Sequence, residues 1–345
     1  MNSSILLIYT GGTIGMKQDP ESLALVPFNF NQIMEEVPEL KKFGFRIDSY
    51  SFDPPVDSSE IQTDFWVDLA NLIKENYVNY DGFVILHGTD TMSFSASALS
   101  FMLENLEKPV IFTGSQLPIG MLRTDGKENL ISSIEIAAAK DENGHAMVPE
   151  VCIYFESQLY RGNRTTKYNA ENFRAFKSAN YPCLAEVGIH IIYNKGYISY
   201  PDIWGKELSV STKLNTDVAI LKIFPGISCN VVETFLKIKG LRAVIIETYG
   251  SGNAPTKKWL IDLLEGAIKR GLIILNVTQC HAGRVDMDAY STGILLKRIG
   301  VVTGNDSTTE AAITKLFFLL GQSSDILYIN AFLTKNMRGE ITISE

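Results

Sequence analysis

The run Ile5-Leu6-Leu7-Ile8-Tyr9 breaks into Thr10-Gly11-Gly12-Thr13-Ile14-Gly15, an apolar stretch stopped sharply by paired glycines. A short apolar run bounded by a turn signal reads as a strand buried on both faces. The pattern returns downstream. Gly82-Phe83-Val84-Ile85-Leu86 runs into His87-Gly88-Thr89-Asp90-Thr91, and Pro109-Val110-Ile111-Phe112 into Thr113-Gly114-Ser115-Gln116. Val151-Cys152-Ile153-Tyr154-Phe155 continues the series. Between these strands lie helical stretches. Phe65 to Tyr77 carries Trp66, Leu69, Leu72 and Ile73 at helical spacing; a second helix runs to about Leu106, and a third covers Asn129 to Ala139. Strand and helix in alternation predict an α/β protein built on a largely parallel sheet.

From about Tyr193 to Asp217 the pattern loosens into Tyr, Pro, Lys, Gly and Ser, which reads as a linker. Alternation then resumes with Val218-Ala219-Ile220-Leu221, Ala243-Val244-Ile245-Ile246 and Leu272 to Val277, separated by helices near Val231–Leu236 and Thr256–Arg270. Ser307, with Glu310 three residues on, predicts a capping box for a helix from Thr308 to Leu320. The expectation is an N-terminal α/β domain over 1–192, a linker over 193–217 and a C-terminal α/β domain over 218–345. The larger domain is a mostly parallel sheet with helices on both faces; the smaller is Rossmann-like.

Composition narrows the function. At 345 residues the chain is long enough for two buried cores. A net charge of -8 argues against a nucleic-acid partner, which needs a basic face. The apolar stretches fall short of the ~18 residues that mark a membrane span. The start, Met1-Asn2-Ser3-Ser4, has neither the basic region nor the cleavage site of a signal peptide. A cytoplasmic protein is expected, with no membrane or nucleic-acid partner. Cys152, Cys183, Cys229 and Cys280 are far apart, as are His87, His145, His190 and His281, so no metal site is expected and the thiols read as free and buried.

The three strand-end turns are the candidate site, because ligands of open α/β sheets bind outside the carboxyl ends of the strands. They share a crevice only if their strands are neighbours. The glycines at 11, 12 and 15 do not fit the dinucleotide or P-loop spacings. Adjacent glycines instead let backbone approach a substrate and expose Thr13, although spacing alone leaves Thr13 as an ordinary turn threonine. Asp90 reads either as a helix cap or as a carboxylate that grips an amino group or orients a lysine. Lys167 is the available lysine, in the polar run Tyr160-Arg161-Gly162-Asn163-Arg164-Thr165-Thr166-Lys167. That density of polar residues argues against a core position and leaves a solvated basic loop as the plain reading. A threonine hydroxyl needs a base to become a nucleophile. Thr89, Lys167 and Asp90 would supply a hydroxyl–amine–carboxylate relay, with the logic of the serine hydrolases.

At these residues the chain resembles the bacterial-type L-asparaginases, specifically the cytoplasmic type I group. The resemblance rests on Tyr9 to Met16, Gly82 to Met92, Thr113 to Gln116, Tyr160 to Lys167, Tyr249-Gly250-Ser251-Gly252-Asn253-Ala254-Pro255 and Thr278-Gln279-Cys280. It implies hydrolysis of L-asparagine to L-aspartate and ammonia through a threonine acyl-enzyme, without a cofactor. Thr13 matches the nucleophile and Thr89 the second catalytic threonine, with Asp90 and Lys167 as its acidic and basic partners. Asp57-Ser58-Ser59 matches the segment that holds the substrate's α-carboxylate and α-amino groups. Gly12, Gly88 and Thr89 match backbone positions around the substrate and its oxyanion. Which base deprotonates Thr13 is not assigned. The resemblance also implies a homodimer or a dimer of dimers. Thr166, Asn253 and Cys280 then become candidates for cross-subunit or regulatory contact, although Asn253 reads equally as a turn residue.

Two departures stand out. Many relatives carry a lid tyrosine after the nucleophile turn, whereas Lys17 to Val26 contains none, which leaves either Leu23 or Leu25 to act in the lid or another group to supply the hydroxyl. Glu247 stands where a regulatory asparagine site would want an arginine, which puts activation by asparagine in doubt. A mixed glutaminase-asparaginase and a noncatalytic amino-acid binder are the alternatives. The first differs by one methylene of substrate, worth only ~1–3 kcal/mol.

Overall fold

The computed structural model describes residues 3–18, 25–27 and 36–343. It divides into two units, Met1–Thr212 and Lys213–Glu345.

The first unit is built on an eight-stranded sheet. Its strands are β1 (Ser4–Tyr9), β2 (Arg46–Ser51), β3 (Gly82–Leu86), β4 (Val110–Thr113), β5 (Val151–Phe155), β6 (Gln158–Arg161), β7 (Ala185–Val187) and β8 (Ile191–Tyr193), in the order β8-β7-β6-β5-β4-β3-β1-β2. The run from β2 to β5 is parallel, and β6 to β8 are added antiparallel. Residues of β1, β3, β4 and β5 alternate between two buried faces, as their near-continuous apolar sequences require. On one face Ile5, Leu7 and Tyr9 join Leu130, Ile134 and Ala137 of helix α3 (Gly126–Ala138). On the other, Phe83 stacks on Tyr77, which caps the end of helix α1 (Thr63–Asn76). Helix α1 buries Trp66, Leu69, Ala70 and Ile73, one stripe at i, i+3, i+4 and i+7. Helix α2 (Met92–Met102) follows β3 and is buried almost all round.

Three expectations need correction here. Helix α2 stops at Met102, not near Leu106, because Leu103–Glu104 is drawn into antiparallel pairing with Ser209–Val210. The polar run after β5 is core rather than a solvated loop: Arg161, Asn163, Arg164 and Thr165 are all buried. Burial is tolerable because the charge is paired and hydrogen-bonded. The Arg161 guanidinium makes a two-pronged pair with Glu150 at 2.6 and 3.0 Å and donates to the Tyr197 carbonyl at 2.9 Å. Of the four free cysteines only Cys152 is fully buried; Cys183 and Cys229 are half-buried, and Cys280 is exposed. The stretch 193–217 is partly anchored to the first unit, since Ser199 N–H also donates to Glu150, Ile198 is buried, and Ser209–Val210 pairs as above.

The second unit holds a four-stranded parallel sheet, β9 (Val218–Lys222), β10 (Ala243–Thr248), β11 (Ile273–Thr278) and β12 (Val302–Thr303), paired in chain order. Helices α4 (Cys229–Leu236), α5 (Lys258–Lys269), α6 (Ser291–Arg298), α7 (Thr309–Gln322) and α8 (Ile326–Leu333) complete it. Val244, Ile246 and Ile274 of the sheet share a core with Leu260, Leu264 and Ala267 of α5. The cap of α7 sits one residue later than the capping box predicts. Thr308, not Ser307, accepts from the N–H of Ala311, at 3.1 Å. Among the described residues, no helix is long and apolar enough to cross a membrane.

Candidate active site

The sheet order decides whether the three turns meet. Strand β1 pairs directly with β3, and β3 with β4, so the turns after Tyr9, Leu86 and Thr113 leave the same edge side by side. Strand β2 lies on the far side of β1 and leads to Asp57-Ser58-Ser59.

Glycine lets these segments interlock. Gly11 and Gly12 have φ of 134° and 86°, values that side-chain-bearing residues rarely adopt. A Cβ on Gly11 would stand 2.2 Å from the Val56 carbonyl oxygen, and one on Gly12 would stand 2.5 Å from Gly88 Cα. A Cβ on Gly88 would in turn meet Ser58 Oγ at 2.4 Å. The dipeptides Gly12-Thr13 and Gly88-Thr89 therefore touch at their glycines. Thr13 opens a 3-10 turn, Thr13–Gly15, and is half-buried.

Lys167 reaches this cluster from a short ribbon that pairs Thr166–Lys167 with Phe176–Lys177. Its Nζ donates to Thr89 Oγ1 at 2.8 Å and to Asp90 Oδ1 at 2.6 Å. The lysine side chain is 18% exposed and the aspartate 62%. Asp90 is thus engaged by Lys167, and the helix-cap reading gives way: Thr91 is the N-cap of α2, without a side-chain cap bond. Asp57 accepts from both the N–H and the hydroxyl of Ser59 at 2.8 Å. Those two bonds, the backbone one foremost, hold its carboxyl below the usual carboxylate range.

Four further side chains build the site without having been singled out for it from sequence. Thr91 donates to the Ser58 carbonyl at 2.6 Å and ties the Asp57–Ser59 segment to the β3 turn. Asp125 accepts from the N–H groups of Gln116 and Leu117, fixing the β4 turn. Gln116 then donates its amide to the Asn172 carbonyl at 3.0 Å, within the loop of the Lys167 ribbon. His87 is fully buried behind the β3 turn, its Nδ1 2.6 Å from the Gly88 carbonyl and its Nε2 2.9 Å from Ser95 Oγ. A carbonyl can only accept, so Nδ1 carries the proton and Nε2 accepts from Ser95, whose oxygen receives the Trp66 N–H at 2.9 Å. The Thr91–Ser58, Gln116–Asn172 and Trp66–Ser95 contacts join residues far apart in the chain, and the shorter-range ones follow no repeating spacing, so no local pattern announces them.

Burial pushes the His87 pKa down from 6.5 to about 4. The imidazole is neutral in the folded protein, whereas the unfolded chain takes up a proton as pH falls through 6.5. The stability that follows is complete above about pH 6.5 and is lost progressively toward pH 4, by about 3 kcal/mol for this group. Urea unfolding between pH 7 and pH 4 should show that loss. A His87→Gln variant should have a visibly flatter pH dependence, and an unchanged slope would remove His87 as its source.

Residues 4–198 match the domain family described as Asparaginase, N-terminal, and residues 217–333 match the Glutaminase/Asparaginase C-terminal domain. The chain belongs to the asparaginase family. With it the chain joins the hydrolases that act on amide bonds. It is 44% identical to L-asparaginase 1 of Escherichia coli (strain K12), over 98% of both chains. It is 41% identical to the 60 kDa lysophospholipase of Mus musculus, over 98% of this chain and 62% of that longer protein. Among solved structures, L-asparaginase I from Vibrio cholerae O1 biovar eltor superposes with a TM-score of 0.90 at 39% identity, covering 99% of this chain and all of that one.

Thr166 lies beside Lys167 in the first unit, whereas Asn253 and Cys280 belong to the second. Asn253 sits in a turn whose backbone it closes onto Tyr249, and its side-chain oxygen accepts from Thr292. Glu247, expected as a repelling anion, is tied down: Thr309 donates to it at 2.9 Å, and Lys222 approaches to 3.8 Å. Leu23, one of the two lid candidates, lies outside the described residues. Leu25 is described in its backbone alone, where Leu25–Pro27 pairs with Met16–Gln18.

Proposed function

We propose that this chain is an L-asparaginase, converting L-asparagine to L-aspartate and ammonia through an acyl-enzyme on Thr13. The observation that carries the reading is the approach of Lys167 to both Thr89 and Asp90, at the turn whose glycine touches Gly12. A threonine–lysine–carboxylate chain beside a second, half-buried threonine is an arrangement for moving protons during nucleophilic attack.

In the first half-reaction Thr13 Oγ1 attacks the side-chain amide carbon. The C–N bond breaks, and ammonia leaves with the proton that the Thr13 hydroxyl gives up, delivered through the relay. In the second half, water attacks the β-aspartyl ester, its proton returns through the relay, and Thr13 is regenerated. Asp57 receives the substrate's α-ammonium, while Ser58 and Ser59 face its α-carboxylate. Because the Gly88 carbonyl is bonded back to His87, the N–H of Thr89 across that trans peptide points the opposite way, away from the buried ring. It serves as an oxyanion donor, an interaction worth ~3–4 kcal/mol in comparable sites. The protein acts in the cytoplasm as a homodimer or dimer of dimers, with Asn253 at the subunit contact, and uses no cofactor.

The test is coupled-assay ammonia release from purified protein with L-asparagine and with L-glutamine. The expected outcome is a kcat/KM for asparagine at least about tenfold higher, which corresponds to one methylene of discrimination. Equal values would replace this reading by the mixed glutaminase-asparaginase, and no ammonia at all would leave an amino-acid binder.

A further inference from the structure

We propose that Tyr9 is the positioning residue for Thr13, acting through the carbonyl of Gly15. The proposal rests on Thr13 being the nucleophile.

Tyr9 is the last residue of β1, and its ring turns inward from the sheet to pack with Ile14 and Ile119. It is 2% exposed, and its hydroxyl donates to the Gly15 carbonyl at 3.1 Å. Gly15 ends the 3-10 turn that Thr13 begins, and its own N–H donates back to the Gly12 carbonyl at 3.2 Å. The N–H of Met16 closes the turn onto the Thr13 carbonyl. Thr13 is therefore held between a glycine locked against Gly88 and a glycine bonded to Tyr9.

Gly15 is a glycine because of this contact. It is not among the glycines with positive φ, so backbone strain does not require it. A Cβ there would lie 2.3 Å from the Tyr9 ring carbons and from the hydroxyl oxygen. The aromatic ring occupies the volume a side chain at position 15 would need, and residues 9 and 15 are a matched pair.

Nucleophilic attack requires the reacting atoms about 3–3.5 Å apart, and a small displacement costs rate steeply. The Tyr9 bond fixes the exit of the nucleophile turn at the root of the Met16–Gln18 strand, where motion would be transmitted to Thr13. Tyr9 does not exchange protons with substrate. Its hydroxyl is committed to Gly15, and burial raises its pKa to about 12, so it stays a donor throughout the neutral range.

The experiment compares Tyr9→Phe with Tyr154→Phe in the full chain. Tyr154 is equally buried in the same core, but its hydroxyl meets Ser132 and Ser157. Losing one buried hydrogen bond at the turn should lower kcat about tenfold in Tyr9→Phe, with KM within about twofold. Tyr154→Phe should keep wild-type kcat at a comparable shift in Tm, and the pH profile of Tyr9→Phe should keep its shape. Gly15→Ala should lower kcat strongly in the wild-type background and far less when Tyr9→Leu has already removed the ring. Wild-type kcat in Tyr9→Phe, or a loss matched by Tyr154→Phe, overturns the proposal. A fully active Thr13→Ala enzyme would instead overturn the nucleophile reading beneath it.

Discussion

Thr13→Ala is expected to lower the rate of ammonia release from L-asparagine by about 10⁴-fold or more, since no acyl-enzyme can form without the hydroxyl. The fold should survive. Thr13 is half-buried in a turn set by Gly12 and Gly15, and alanine adopts the same backbone. Substrate affinity should change little, because the groups proposed to receive the α-ammonium and α-carboxylate lie on the Asp57–Ser59 segment. Isothermal titration with L-asparagine should therefore give a Kd close to that of the wild-type Michaelis complex, while the ammonia assay gives almost no turnover. Thr13→Ser keeps an oxygen nucleophile and should retain measurable activity. Release by Thr13→Ala within tenfold of wild type would move the nucleophile elsewhere.

The second large effect is at Lys167. Replacing it by methionine keeps the length of the side chain and removes the amine from Thr89 and Asp90, and kcat should fall about 10³-fold. Stability should fall much less, because the Asp90 carboxylate is 62% exposed and water takes the place of the lysine. Lys167→Arg should not restore the rate. A guanidinium stays protonated and is planar, so it can neither accept the relayed proton nor place a single nitrogen between the two oxygens. If Thr89, Lys167 and Asp90 work as one unit, Thr89→Val added to Lys167→Met should cost almost nothing further. Multiplicative losses in the double variant would separate Thr89 from the lysine.

The parts of the fold written in local pattern were legible without coordinates. Strands β1, β3, β4 and β5 are short apolar runs, the first three followed by glycine and threonine, and all four lie where those runs lie. The turns after the first three do share one edge of the sheet. The contact of Lys167 with Asp90 followed from asking which residues a hydroxyl nucleophile needs. What sequence reading got wrong was where burial contradicts polarity. Arg161 and Arg164 look like surface charge, yet Arg161 is enclosed because Glu150, eleven positions earlier, supplies its counter-charge. The shift of the α7 cap from Ser307 to Thr308 is of a different kind. Both residues can cap, and which one does so depends on where the preceding chain enters the helix. Tyr9, Thr91 and Gln116 act through partners that no periodicity encodes.

The Lys167 ribbon has a further consequence for how activity arises during synthesis. Thr13 leaves the ribosome first, with β1, but β1 is hydrogen-bonded on both sides by strands that begin at Arg46 and Gly82. The lysine arrives only after another eighty residues or so, on a ribbon whose second strand ends at Lys177. A sheet assembled from such distant pairings forms slowly and late. Nearly half of the 345 positions lie between Thr13 and Lys167, and through that span the nascent chain carries the proposed nucleophile without the proposed relay. The proposed relay can form only after the segment through residue 177 has cleared the exit tunnel and docked against Thr89, so no shorter nascent chain should hydrolyse the substrate.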